Sequence, residues 1–342
     1  MLNTRVMFQK GQTDQNRRRL AKRTLIALLL LVITFAVFAN VLAWRHARAL
    51  MHFTGGRGYK PKLETVRPED KLGLLFSGVE MPRPSGSQTA ADLAPGCMEV
   101  QISESDGITL GAWYCSRGTN SPLVILFHGY TDDKTSQIPE AKRFLKMGAS
   151  VLLMDFRGSG DSSEDYTTIG YREADDVVAA MKYAQENFAH KKIILYGHSM
   201  GAAAILRAVS AYGIAPDGII ATAVFDTMLN TVRNRFRMLN APAFPGAEML
   251  VFWGGVQVGF DGFEHNPVDY AKAVKCPILF MHGTDDPKAL LSEGQHVFDA
   301  VPSQKMFKAF PSIGHQPYAE ACPAEWDQAV RDLLKAADAI KR

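Results

Sequence analysis

Residues 191–209 read KKIILYGHSMGAAAILRAV. The run from Lys192 to Tyr196 is apolar and rich in β-branched residues, which suits a buried strand, whereas the alanine-rich stretch from Met200 to Tyr212 suits a helix. Between them stands Gly197-His198-Ser199-Met200-Gly201. Small residues on both sides allow a tight strand-to-helix turn that lifts the Ser199 hydroxyl above the sheet, and the following helix points its N-terminus at negative charge developing there. A serine hydroxyl is a weak nucleophile at neutral pH. It needs a base, an oxyanion site and an unusual backbone placement before it does chemistry.

Working outward, the same alternation repeats. LVILFHG precedes a helical stretch around 138–147, SVLLMDFRG precedes one from 171 to 188, and GIIATAVFD, PILFMHG and MFKAF lead to a C-terminal helix. Short apolar strands alternating with amphipathic helices predict an α/β fold, with a mostly parallel central sheet covered by helices on both faces. Before them, MEVQISESDGITLGAWYCS carries two alternating segments around an Asp-Gly turn, the pattern of an antiparallel hairpin. One segment, about 227–269, is too long for an ordinary connection. Its Met, Phe and Trp content predicts a helical cap over a site. Phe236, Phe252 and Trp253 are expected to meet an apolar acyl group, with Arg233, Arg235 and Arg237 available for a carboxylate or phosphate head.

The N-terminal region follows different rules. Residues 25–44, LIALLLLVITFAVFANVLAW, carry no charge and are long enough to cross a bilayer as a helix. A cleaved signal peptide is the competing reading, although its apolar region is usually only about 7–15 residues. The division expected is a basic cytoplasmic N-terminus at 1–24, a single-pass membrane anchor at 25–44, a linker or cover at 45–96 and a catalytic domain at 97–342. The cluster Arg17-Arg18-Arg19 with Lys22 and Arg23 predicts a cytoplasmic N-terminus and a periplasmic or extracytoplasmic domain. Arg45, Arg48, Arg57, Lys60 and Lys62 weaken that asymmetry.

Across 342 residues the formal charge is only +3, and the densest basic cluster flanks the apolar run, so nothing points to nucleic acid. Cys97, Cys115, Cys276 and Cys322 show no metal spacing; their even number permits disulfides without requiring them. His190, His198, His265 and His296 form no metal pattern either, and no glycine-rich loop matches a nucleotide cradle. No metal and no cofactor are expected.

These residues resemble the α/β-hydrolase superfamily over roughly 97–340. The resemblance is carried by His128-Gly129-Tyr130, by DFRGSGDS at 155–162, by the GHSMG turn, by His282-Gly283-Thr284-Asp285-Asp286 and by Gly314-His315. Within it the chain is similar to membrane-associated bacterial serine hydrolases of the BEM46, S33 and S9 peptidase-like kinds. The order nucleophile, acid, base is met by Ser199, Asp286 and His315. Asp285, its neighbour, stands as an alternative acid, and so does Asp226 at the end of GIIATAVFD, where some members of the fold place the acid; Pro287-Lys288-Ala289 departs from the Val-Pro that many relatives carry next. The resemblance implies an oxyanion hole from the backbone N–H groups of Tyr130 and Met200, with His128, Asp155 and Arg157 bracing the loops around it. It implies a serine hydrolase that cleaves a small-molecule ester or thioester through an acyl-enzyme. A peptidase or acyltransferase with the same residues, and a non-catalytic binding protein on the same fold, are the alternatives.

Overall fold

The computed structural model describes residues 2–55, 78, 81–104 and 107–339. Asp106 of the expected hairpin turn, and most of the expected linker including Arg57, Lys60 and Lys62, lie outside the described residues.

The chain begins with one helix, α1 (Leu2–Met51), which contains the apolar run and continues past it. By length and composition this helix is able to cross a membrane. It ends later than the apolar run because Arg45, Ala47, Arg48, Ala49 and Leu50 are good helix formers with no glycine or proline among them. The region expected as linker therefore starts as helix. It then gives two short paired strands, β1 (Phe53–Thr54) and β2 (Met81–Pro82), and a single turn of helix, α2 (Ala90–Leu93).

The body is built on eight further strands: β3 (Met98–Ser103), β4 (Thr109–Cys115), β5 (Leu123–Phe127), β6 (Ser150–Met154), β7 (Ile193–His198), β8 (Gly218–Thr222), β9 (Ile278–Gly283) and β10 (Lys305–Phe310). Their order across the sheet is β10-β9-β8-β7-β5-β6-β4-β3. From β6 to β10 every pairing is parallel, while β3–β4 and β4–β6 are antiparallel. The sequence explains the division. Strand β5 is apolar at every position and buried throughout, as a sheet covered on both faces requires. Strand β3 mixes exposed and buried residues, as an edge strand does. Cys97 and Cys115 form a disulfide across the β3–β4 hairpin, whereas Cys276 and Cys322 are free thiols.

Helices α3 (Ile138–Lys146), α4 (Glu173–Asn187) and α5 (Met200–Tyr212) fill the first crossovers. After β8 the long insertion is helical, as α6 (Met228–Met238), α7 (Gly246–Val258) and the short α8 (Pro267–Tyr270). Helices α9 (Leu291–Ala300), α10 (Tyr318–Ala321) and α11 (Pro323–Ala339) follow. One apolar core, with Ile125, Phe127, Leu195 and Ile205, fills one face of the sheet; another, with Val124, Tyr196, Phe144 and Trp326, fills the opposite face. This is the α/β architecture that the strand and helix pattern implies, and the strand order is that of the α/β-hydrolase fold that the resemblance implies.

Candidate active site

Strand β7 ends on His198, and Ser199 follows with φ 52° and ψ −110° before α5 begins. A non-glycine residue there is strained, and the neighbours show what holds it. A Cβ on Gly197 would lie 2.5 Å from the Ala202 nitrogen, and one on Gly201 would collide with the Phe127 carbonyl oxygen. Both positions exclude a side chain, so α5 packs directly on the end of β5 and brings Met200 beside the loop at 128–131. Ser199 itself is 8% exposed, and its N–H donates to the Thr222 carbonyl at 2.7 Å.

The loop after β5 turns through Thr131, at φ 61°. His128 lies beneath it: its Nδ1 is 2.8 Å from the Gly129 carbonyl, and its Nε2 accepts the Phe156 N–H at 3.1 Å. Asp155 accepts the Lys134 N–H at 2.8 Å and the Asp161 N–H at 2.9 Å. Arg157 is buried, with Nε donating to Asp176 at 2.8 Å. All three side chains thus spend their polar atoms on holding neighbouring loops. Among the described residues the backbone N–H groups of Tyr130 and Met200 make no turn, loop or cap hydrogen bond.

The imidazole and its carboxylate come from the far half of the sheet. His315 Nδ1 donates to Asp286 Oδ2 at 2.7 Å. Asp286 also accepts the Lys288 N–H at 2.8 Å and the Ala289 N–H at 3.0 Å. Burial pushes its carboxyl up, but the hydrogen bond and charge of His315, together with the two N–H groups, outweigh it and hold the pKa below the ordinary value. The alternative acids are elsewhere. Asp285 is exposed and accepts from the Thr284 hydroxyl at 2.8 Å. Asp226 accepts from Thr227 and Asn230, and the imidazole beside it is His296, at 3.4 Å.

His198 occupies the variable position of the turn, and no sequence signal gave it a part in the site. Its ring centroid is 5.0 Å from that of His315, and its Nδ1 is 2.9 Å from the Thr222 hydroxyl. Burial, then the charge of His315, lower its pKa to about 3, so it is a neutral wall beside the other imidazole.

The cap residues divide. Arg233 pairs with Glu248 at 2.6 Å, and Arg237 donates to the Asn234 side chain at 2.6 Å. Arg235 donates to the Lys288 carbonyl at 2.9 Å, which ties α6 to the loop that carries Asp286. Half-buried Phe236 faces Gly246. Trp253, expected to meet substrate, donates its ring N–H to the Asn40 side chain of α1 at 3.1 Å. Phe252, its ring edge-on to Trp253, is 51% exposed. Tyr130 also reaches α1: its hydroxyl donates to the Leu50 carbonyl at 2.6 Å. Periodicity could not signal these contacts with α1, because they join segments far apart in the chain. Among the described residues no group of His, Cys, Asp and Glu is arranged to hold a metal.

Comparison with known proteins agrees with the fold. Residues 118–246 match the family described as Serine aminopeptidase, S33. The esterase Pf2001 of Pyrococcus furiosus superposes with a TM-score of 0.64 at 26% identity, covering 74% of this chain and 96% of that one. Uncharacterized protein YqkD of Bacillus subtilis is 28% identical over 204 residues, which is 58% of this chain and 66% of that protein. Lysophosphatidylserine lipase ABHD12 of Rattus norvegicus is 19% identical over 233 residues, 61% of this chain and 57% of that one. The chain thus has the fold of the α/β-hydrolase superfamily. Within that class it is an esterase-like serine hydrolase.

Proposed function

We propose that the protein is a membrane-anchored serine hydrolase of carboxylic esters or thioesters, with Ser199 as nucleophile, His315 as general base and Asp286 as the group that orients it. Ser199 Oγ attacks the acyl carbon while its proton passes to His315 Nε2. The tetrahedral oxyanion takes hydrogen bonds from the Tyr130 and Met200 N–H groups. As the ester C–O bond breaks, His315 returns the proton to the leaving alcohol. Water, deprotonated by the same imidazole, then releases the acid from the acyl-enzyme. Asp286 stays ionised throughout, since its environment favours the carboxylate.

The observation that carries this reading is the 2.7 Å hydrogen bond from His315 to a buried Asp286, with His315 packed against His198, the residue before a serine held at positive φ. The lipase name of the rat relative favours an acyl ester, and the apolar cap agrees with it. The family description favours a peptidase as the second reading. Anchoring by α1 is supported by its uncharged run, and outward placement by the Cys97–Cys115 disulfide, a bond that persists in oxidising compartments.

The test is a fluorophosphonate probe applied to the full-length protein in detergent. Labelling is expected in the parent and absent from Ser199→Ala, with an unchanged thermal melt. A folded Ser199→Ala protein that still labels moves the nucleophile elsewhere. A panel of acyl esters, thioesters and aminoacyl amides then separates esterase from peptidase.

A further inference from the structure

Large exposed hydrophobic residues are concentrated in this molecule. Apart from α1, the described ones are Met98, Tyr212, Met238, Leu239, Phe244, Phe252, Val256 and Phe263, and all but the first two belong to the cap. A soluble surface scatters such residues; a cluster marks a surface that meets something apolar.

The position of α7 says what that is. It packs against the second half of α1. Ala43 and Ala47 are buried on this half of α1, and on α7 a Cβ at buried Gly254 would lie 3.0 Å from the Met51 sulfur. From there two side chains of α7 reach back along α1 toward its apolar run. Trp253 Nε1 donates to Asn40 at 3.1 Å, and Gln257 Nε2 donates to the Trp44 carbonyl at 3.0 Å. Asn40 and Trp44 are the last polar and the last aromatic residues of the uncharged run, about 6 Å apart along the helix. Phe252 and Val256 each precede one of the reaching residues by one position. Their face is thus turned about 100° from it and adjoins it. Both are exposed, at 51% and 54%.

We infer that α7 lies in the headgroup layer of the bilayer that α1 crosses, with Phe252 and Val256 immersed where headgroups meet acyl chains. The partner of the cap is the lipid surface itself. This rests on α1 being a membrane anchor. A helix that is apolar over most of its surface, with a glycine at its packing contact and a tryptophan at the interface, has the composition for that layer.

The experiment uses full-length protein in vesicles of phosphatidylcholine and phosphatidylglycerol. Single cysteines at Phe35→Cys, Val256→Cys and Tyr212→Cys, in a Cys276→Ser, Cys322→Ser background, carry an environment-sensitive fluorophore. Each protein is first checked for a parent-like melt. Lipids bear a nitroxide either near the headgroup end of the acyl chain or near its methyl end. The expected result is several-fold stronger quenching at 256 than at 212 by the shallow nitroxide, with position 35 quenched best by the deep one. Quenching at 35 with none at 256 overturns the inference and leaves the anchor standing. A blue shift at 256 without lipid quenching also overturns it, because protein and not lipid then covers the face. Absence of quenching at both positions removes the anchor and this inference with it.

Discussion

The sheet and the α1–α7 pair bury residues by opposite rules. In the sheet, large side chains fill the interior: Leu123, Val124, Ile125, Leu126 and Phe127 of β5 are all 0% exposed, and Gly197 and Gly201 stand where backbone must touch backbone. In the α1–α7 pair the buried residues include Ala43, Ala47 and Gly254, while Phe35, Phe252 and Val256 are exposed. Expelling water drives the first arrangement. The second matches the composition that the proposed anchoring requires, since helices in lipid approach closely through small residues where burying bulk gains nothing. The proposed chemistry sits where the two arrangements meet, since Tyr130 belongs to the sheet's loop and hands its hydroxyl to Leu50.

The largest expected effect tests the sheet side. Asp286→Asn is expected to lower turnover about 10⁴-fold, as loss of the orienting carboxylate does in the best-studied triad. Asp285→Asn and Asp226→Asn are expected to stay near the parent rate. Steady-state rates on an ester substrate check this, and a larger loss at Asp226 reassigns the acid.

The next effect tests the helix pair. Ala47→Leu inserts bulk where α1 is 3% exposed, and overpacking of this kind costs about 1–3 kcal/mol. The cost is expected to fall on the seating of α7, read as faster limited proteolysis within the cap, with the melt of the sheet little changed. If cap and sheet weaken together, the two regions are one cooperative unit and the contrast between them is only one of composition.

The smallest effect concerns Glu293 on α9, which accepts from Asn234 of α6 at 2.8 Å. Burial raises its pKa to about 7, from an ordinary value of 4.5. The folded state therefore keeps a proton that the unfolded chain releases. Its stability falls as pH rises from the ordinary value toward 7, and this contribution is level above that. Glu293→Gln cannot titrate, so its stability relative to the parent is expected to rise between pH 5 and pH 8 by an amount on the order of 1 kcal/mol, measured by denaturant unfolding at each pH. A pH-independent difference removes Glu293 from the α6–α9 contact as a titrating group.

Much of the sheet was readable in advance because its signals are local. Strand β7, the GHSMG turn and α5 follow from nineteen consecutive residues, and Met200–Tyr212 is helical over the span expected. Chain order nominated His315 and Asp286, but Asp285 and Asp226 stayed open because the three carboxylates differ in what they face, His315 for Asp286, His296 for Asp226 and the Thr284 hydroxyl for Asp285, and those neighbours come from loops of separate crossovers. His198 was unreadable for a related reason: its part depends on the ring opposite it. The contact of Trp253 with α1 was hidden because an aromatic residue in an apolar insertion looks the same whether it lines a cleft or meets a distant helix. The continuation of α1 to Met51 was masked by the change from apolar to basic residues, which alters the solvent around a helix without ending it.

The Cys97–Cys115 bridge has a consequence beyond stability. An open sheet has two edges, and each offers unpaired backbone to a strand from another molecule. At one edge, β10 carries Lys305 and Lys308, whose charges oppose stacking of a second copy. At the other, β3 has exposed Met98, Glu99 and Gln101, and the disulfide fastens it to β4. Charge thus opposes pairing at one edge, while at the other a covalent clasp keeps β3 from peeling away and baring β4, and only the clasp depends on the redox state of its surroundings.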